Sequence, residues 1–251
     1  MRNLLARLRE AWKKIWFVLW KDDSPMSIII SFIVAYLLIQ FLFYPGLGLL
    51  LGTDYPVVAV ISGSMEHRAT LGCSEYTNIA GDTPRDRCPR DSLVPMICGV
   101  EVNETGRLSF DEYWSLCGSW YEAEGIAKGA FADFPFSRGF DTGDIMILRR
   151  AENIQIGDVI VFEGRMPEPI IHRVIDIRRT DRGLVYSTKG DHNAGQIVSY
   201  QNVGLGEGTI SVAIIDERSI NEAQVVGKAV GRIPWLGYPK LWLTQVISVF
   251  R

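Results

Sequence analysis

An uncharged apolar run near the N-terminus constrains this chain more than any other feature. From Met26 to Tyr44 the sequence reads MSIIISFIVAYLLIQFLFY, and the apolar character continues to Leu51. A helix needs about 20 such residues to cross the hydrocarbon core of a bilayer. A cleaved signal sequence is the alternative, but its apolar region has only about 7–15 residues and is followed by a small-residue cleavage site. We therefore predict an uncleaved transmembrane anchor over residues 24–52.

The charges on either side of this run predict its orientation. Residues 1–21 contain one acid, Glu10, and several basic residues, which are Arg2, Arg7, Arg9, Lys13, Lys14 and Lys21. Residues 52–66 contain no Lys or Arg. Because basic residues stay on the cytoplasmic side, we expect a cytoplasmic N-terminus and an extracytoplasmic remainder. Apolar residues alternate with the basic ones near helical spacing, which predicts an interfacial amphipathic helix over residues 1–22.

Beyond the anchor the chain is rich in short β-type runs bounded by Gly, Pro or Asp. One run, Pro56–Ile61, ends at the sequence Ser62-Gly63-Ser64-Met65, and the others begin at Ile145, Val159, Ile170, Leu184 and Val212. Many short strands separated by turn signals are typical of a twisted or barrel-like sheet. We predict a mainly β fold, with a β domain formed by residues 53–66 and 136–233.

The segment between these two stretches, residues 67–135, contains all the cysteines of the chain. They are Cys73, Cys88, Cys98 and Cys117. The spacings include no C-x-x-C pair, so a zinc site is disfavoured, and an even number of cysteines outside the cytoplasm predicts two disulfides. Three pairings remain open, and free buried thiols are the alternative. Aromatic residues between Phe110 and Tyr121 recur at helical intervals, which predicts a small inserted subdomain of loops and short helices packed on the sheet.

A second apolar stretch covers residues 234–251. It is interrupted by proline and lysine. It is therefore better suited to a membrane-proximal position than to a second span.

Ser64 and His172 are the residues best suited to chemistry. A serine hydroxyl becomes a nucleophile when a histidine removes its proton. The register of a predicted hairpin indicates the acid that would orient this histidine. If a two-residue loop joins the runs on either side of Asp181, Thr180 pairs with Gly183 and His172 lies opposite Asp191. The opposed Cβ atoms would then be about 4.5–5.5 Å apart, within reach of a hydrogen bond, whereas a one-residue slip would move Asp191 off this face.

The sequence motifs around Ser64 and His172 resemble those of a type I signal peptidase of the archaeal and endoplasmic-reticulum branch. In that branch, histidine stands where bacterial members carry lysine. The similarity covers about residues 26–66 and 136–240, and its motifs are the Ser-Gly-Ser-Met box, the His172-Arg173-Val174 run, Gly143-Asp144, Gly157-Asp158 and Gly190-Asp191. The chain departs from the family at Gln196 and Ile197, where members often carry a further aspartate.

Several other residues compete for the same roles. Lys189 is the rival base, because bacterial relatives use lysine, but its pKa would have to be lowered by burial. We expect His192 to point to the face opposite Asp191, and we interpret His67 as a surface or packing residue. Asp176 and Asp181 lie too far along the strand from His172 to reach it.

The resemblance implies the signal-peptidase fold of coiled antiparallel sheets and a membrane-bound serine endopeptidase. Such an enzyme removes signal peptides from secretory precursors, outside the plasma membrane or in the lumen of the endoplasmic reticulum. The implied catalytic residues are Ser64, His172 and Asp191, with the Ser64 backbone N–H and the Ser62 hydroxyl as the oxyanion hole.

The expected partners follow from the same resemblance. They are signal-peptide-bearing preproteins, the lipid bilayer and the secretion translocon. We expect no metal or other cofactor, because the chain supplies the nucleophile, the base and the oxyanion donors. The net charge of −3 argues against nucleic-acid binding. The alternative function is a membrane-tethered, disulfide-braced ectodomain that binds or supports without catalysis.

Overall fold

The computed structural model describes residues 24–73, 93–166, 168–181, 183–205 and 208–238, together with residues 9, 10, 12, 13, 16, 17 and 20–22. The chain divides into two compact units, Met1–Asp54 and Tyr55–Arg251. The predictions for residues 1–22 and 234–251 therefore fall largely outside the described residues. Those that are described between residues 9 and 20 are helical.

The first unit contains the predicted apolar helix. Helix α1 (Pro25–Leu38), a π-helical stretch (Ile39–Phe43) and helix α2 (Tyr44–Leu51) follow one another as a single 27-residue helix. Ser24 caps its start, because the Ser24 side chain accepts a hydrogen bond from the Ser27 N–H. Gly52 ends it in the left-handed conformation, with φ of 67°. The helix is long and apolar enough to cross a membrane.

The second unit consists mainly of strands. In chain order the described strands are β1 (Val57–Ala59), β2 (Arg68–Cys73), β3 (Leu93–Ile97), β4 (Val100–Glu101), β5 (Gly106–Arg107), β6 (Ile145–Arg149), β7 (Val159–Phe162), β8 (Ile170–Thr180), β9 (Gly183–Lys189), β10 (Val198–Leu205), β11 (Gly208–Asp216), β12 (Ile220–Asn221) and β13 (Val225–Ile233). Two helices, α3 (Phe110–Ala123) and α4 (Lys128–Ala132), lie between β5 and β6.

These strands form one large sheet and two small ones. The large sheet has the order β1-β6-β13-β7-β8-β9-β12, and its neighbouring strands are antiparallel. Bulges in β8 and β13 shift the register, which bends a sheet and increases its twist. The sheet curls into a half-barrel. The predicted mainly β fold with an N-terminal apolar helix is confirmed.

The other two sheets are small. One has the order β4-β3-β2-β5 and lies within residues 67–135. The other is the hairpin of β10 and β11. The predicted packing of the inserted helices is confirmed, because Tyr113, Tyr121 and Phe131 share a buried cluster with Ile175 of β8.

One of the predicted disulfides is observed within this insertion. Cys98, in the turn after β3, is bonded to Cys117 of α3, with a Cα–Cα distance of 5.5 Å. Cys73 is also disulfide-bonded, and Cys88 lies outside the described residues. The bond between Cys98 and Cys117 ties the aromatic helix to the small sheet beside it.

Candidate active site

Ser64 lies in a tight turn that follows β1. The Glu66 N–H donates to the Gly63 carbonyl at 3.0 Å, which closes the turn. Met65 is fully buried in the apolar core and anchors the turn there. The Ser64 Oγ lies 3.2 Å from the Ser62 Oγ, and Ser62 itself is exposed. The turn therefore presents two hydroxyl groups side by side at the edge of the core.

His172 lies on β8, opposite Ile160 of β7, and its side chain is 2% exposed. Gly190 marks the point where this histidine meets the serine turn. A Cβ atom added to Gly190 would lie 2.8 Å from His172 Nε2 and 2.8 Å from the Ser64 carbonyl oxygen. The His192 N–H donates to that same carbonyl at 2.8 Å. A glycine is thus required where the strand of His172, the serine turn and the loop after β9 converge.

The Ser64 backbone carbonyl and His172 Nε2 both lie near Gly190, but no direct hydrogen bond joins the Ser64 and His172 side chains. The hydrogen bond of the Ser64 Oγ goes to Ser62, and His172 Nε2 points toward Gly190. Catalytic hydrogen bonds are often long in the absence of substrate and tighten in the complex. The arrangement therefore suits a base that engages the hydroxyl once substrate is bound.

The second ring nitrogen of His172 is held by a residue that the sequence did not reveal. His172 Nδ1 donates to Glu217 Oε1, and the Glu217 side chain is fully buried. The Thr188 hydroxyl donates to the same oxygen at 2.9 Å, and the Ile197 N–H donates to Glu217 Oε2 at 2.5 Å. Both carboxylate oxygens are therefore fixed, and the carboxylate determines the imidazole tautomer.

Asp191 does not lie opposite His172. The predicted hairpin register is confirmed from the turn as far as Asp176, but a bulge between Val174 and Asp176 then shifts it by one residue. The predicted pairing of His172 with Asp191 is therefore wrong. A one-residue shift places every later position opposite a different partner.

The Asp191 carboxylate forms a separate buried cluster. Arg173 donates to both of its oxygens, Nε to Oδ1 at 2.9 Å and Nη2 to Oδ2 at 2.7 Å. His67 Nε2 and the Tyr121 hydroxyl also donate to it, each at 3.0 Å. Burial alone would raise the pKa of Asp191, but the Arg173 charge and the hydrogen bonds from His67 and Arg173 outweigh it and hold that pKa well below its usual range. Asp191 is thus an ionised counter-ion to Arg173.

The rival bases have other contacts. Lys189 Nζ donates to the Gly190 carbonyl at 3.0 Å and lies 5.1 Å from the ring centre of Trp120 and 4.9 Å from that of Tyr121. Burial lowers the pKa of Lys189 to about 8. His192 contacts Thr70 and the Glu66 carbonyl. Lys189 therefore faces the aromatic helix of the insertion.

Two of the remaining rivals, His67 and Asp176, also have contacts of their own. His67 is a packing residue, since its ring is 2% exposed and stacks on Tyr113 with ring centres 3.6 Å apart. Asp176 forms an exposed ion pair with Arg178. Neither contact involves the serine turn.

Comparison with known proteins finds catalytic subunits of signal peptidase complexes among the relatives of this chain. No family model matches the chain. The chain is similar to the signal peptidase complex catalytic subunit SEC11 of Zygosaccharomyces rouxii, with 32% identity over 109 residues that cover 42% of this chain and 59% of the relative. The protein of the same name from Lachancea thermotolerans is 34% identical over 113 residues, again 42% of this chain and 59% of the relative.

The similarity covers only part of this chain and only part of each relative. A third SEC11 protein, from Yarrowia lipolytica, is 31% identical over 109 residues and is covered to 56%. The chain thus spans less than two thirds of the length of these curated relatives. The similarity agrees with the resemblance expected from the sequence motifs. Over the matched part, the chain is therefore similar to the catalytic subunits of signal peptidase complexes.

Proposed function

We propose that this protein is a membrane-anchored serine endopeptidase that removes signal peptides from secretory precursors on the extracytoplasmic side. The observation that carries the proposal is that His172 Nε2 and the backbone carbonyl of Ser64 both approach Gly190, each 2.8 Å from a Cβ built at that position. The names of the relatives and the apolar N-terminal helix support it. The alternative of a non-catalytic ectodomain is disfavoured, because it leaves this arrangement without a purpose.

In the proposed mechanism, Ser64 is the nucleophile and His172 is the base. His172 Nε2 takes the proton of the Ser64 hydroxyl as the oxygen attacks the scissile carbonyl carbon. The imidazolium then gives this proton to the leaving amine, and an acyl-enzyme remains on Ser64. Water, activated by the same nitrogen, hydrolyses the ester and releases the signal peptide.

The tetrahedral intermediates need donors for their oxyanion. Ser62 is suited to this role because its Oγ lies 3.2 Å from the Ser64 Oγ and can rotate its proton toward the substrate. The Ser64 backbone N–H is the second proposed donor. Loss of one such donor costs about 2.7–4 kcal/mol of transition-state stabilisation in other serine peptidases.

The proposed substrates are membrane-inserted precursors with small residues before the cleavage site. Because the N-terminal segment is basic, we propose that it stays in the cytoplasm and that the second unit lies on the outer or lumenal side. A peptidase in this position meets signal peptides as they emerge, which is the reason to propose contact with the secretion translocon as well. Signal-peptide-bearing preproteins and the bilayer are the other proposed partners.

Cleavage of a radiolabelled preprotein by membranes that contain the full chain tests this function. We expect Ser64→Ala to abolish cleavage because the covalent route is lost, while the variant stays membrane-bound and as resistant to added protease as the wild type. Ser115→Ala is the matched control, since the Ser115 hydroxyl is exposed and donates to the Glu112 carbonyl of its own helix. Undiminished cleavage by Ser64→Ala would contradict the assignment.

A further inference from the structure

We infer that Glu217 is the residue that positions His172 for proton transfer, in the role that the sequence assigned to Asp191; the inference rests on the proposed function. His172 Nδ1 donates to Glu217 Oε1. This bond leaves the lone pair on Nε2, the nitrogen that lies beside Gly190 and the Ser64 carbonyl. The tautomer that a base requires is thus set by Glu217.

Glu217 lies at the base of the hairpin formed by β10 and β11. Strands β10 and β11 end with Val198 paired to Asp216. Directly beyond this pair, the Glu217 N–H donates to the Ile197 carbonyl at 3.0 Å, and the Ile197 N–H returns a hydrogen bond to the Glu217 side chain. The Thr188 N–H of β9 donates to the Glu217 carbonyl at 2.8 Å. The carboxylate is therefore held between the hairpin and the large sheet.

The Gln196 side chain helps to hold Glu217 in place. Its Nε2 donates to the Ser187 hydroxyl at 2.7 Å, to the Thr188 carbonyl at 2.9 Å and to the Glu217 carbonyl at 3.2 Å. An amide at position 196 fastens the segment that supplies Glu217 to β9. The chain thus has Gln196 where an aspartate was expected from the resemblance, and the acid is supplied by Glu217 instead.

The charge of Glu217 remains available to an imidazolium. Its side-chain donors, besides His172, are a hydroxyl and a backbone N–H, both of which are neutral. Lys189 of β9 is the nearby cation, and it acts on Glu217 through space without an ion pair. Asp191, in contrast, is neutralised by the bidentate Arg173. A carboxylate with neutral partners stabilises a developing positive charge on His172 more strongly than one already paired.

Steady-state cleavage kinetics of the full, membrane-bound chain test the role of Glu217. Glu217→Gln keeps the size of the side chain but offers an amide N–H to His172 Nδ1, which favours the wrong tautomer. We expect kcat to fall by about 10²–10⁴-fold with KM little changed. The acid limb of the pH–rate profile should also move to lower pH, because an imidazolium loses its neighbouring anion. A purely structural role would leave that limb in place.

Asp216→Asn is the matched control, because Asp216 precedes Glu217 and pairs with the exposed Arg218. We expect wild-type kcat for it. A folded Glu217→Gln enzyme with kcat within threefold of the wild type would overturn the inference, while an inactive Ser64→Ala would still leave the proposed function standing. If Glu217→Gln fails to fold, Glu217→Asp decides: its shorter carboxylate should lower kcat, and wild-type kcat in this folded variant would overturn the inference.

Discussion

Two buried histidine–carboxylate pairs lie in the second unit, His172 with Glu217 and His67 with Asp191. Their burial is identical, since in each pair the histidine is 2% exposed and the carboxylate is fully buried. They differ in what surrounds them. The free nitrogen of His172 lies beside the serine turn, whereas the ring of His67 stacks on Tyr113 within the insertion. Burial and a hydrogen-bonded acid therefore do not by themselves make a histidine a base.

The second difference is charge neutralisation. Asp191 is bound in a bidentate manner by Arg173, whose guanidinium also donates to the carbonyls of Pro135, Phe136 and Gly157. This pair joins β8 to the insertion and to the loop before β6. Glu217 has no such cation bonded to it among the described residues. One carboxylate thus holds parts of the fold together, and the other is left to act on its histidine.

Replacing each of the two histidines by glutamine should give the largest difference in cleavage rate. We expect His172→Gln to lower kcat by about 10²–10⁴-fold or more at unchanged thermal stability, because the proton acceptor is lost. His67→Gln should retain most of the cleavage rate per folded molecule and lose stability instead, because it removes the stacking on Tyr113. Cleavage rates and melting temperatures of the two purified variants measure both effects.

Lys189→Met serves as the control for that experiment. The side chain is fully buried over two aromatic rings, so a neutral side chain of similar length should fit, and we expect wild-type kcat. Loss of activity in Lys189→Met combined with an active His172→Gln would reverse the comparison. It would point to lysine as the base.

Asp191→Asn should produce the next largest effect, on stability. Removing one member of a buried ion pair leaves the other charge without compensation, which costs about 3–5 kcal/mol. The free energy of unfolding in urea should fall by that amount, while the cleavage rate per folded molecule falls far less than in Glu217→Gln. Asp176→Asn is the matched control, because its pair with Arg178 is exposed and such pairs contribute about 0–1 kcal/mol. Equal stability of the two variants would refute the structural role of Asp191.

The sequence predicted what local pattern determines. The strand before Ser64, the apolar helix and the two-residue hairpin turn each follow from the spacing of a few neighbouring residues, and the predicted register is correct up to Asp176. The bulge that follows depends on tertiary packing. There Val174 joins one buried cluster and Ile175 joins the aromatic cluster of the insertion. No hairpin rule could anticipate this.

Glu217 was missed for a related reason. It lies 45 residues beyond His172, on the far side of a hairpin, and no motif surrounds it. Only the absence of an acid at positions 196 and 197 hinted that the carboxylate comes from another part of the chain. The chemistry of a site constrains which groups must meet, but the fold decides which position in the chain supplies each group.

The smallest expected effect concerns the pH dependence of stability. Burial lowers the pKa of His67 below its ordinary value of about 6.5, and the hydrogen bond to Asp191 opposes this only in part. As the pH falls through this ordinary value, His67 binds a proton more readily in the unfolded chain than in the folded chain. The free energy of unfolding therefore decreases as the pH falls through this range. His67→Gln removes the titrating group, and its free energy of unfolding should therefore depend less steeply on pH between about 7 and 5 than that of the wild type. Urea unfolding at several pH values measures both slopes, and identical slopes would show that His67 is not the group that couples folding to pH in this range.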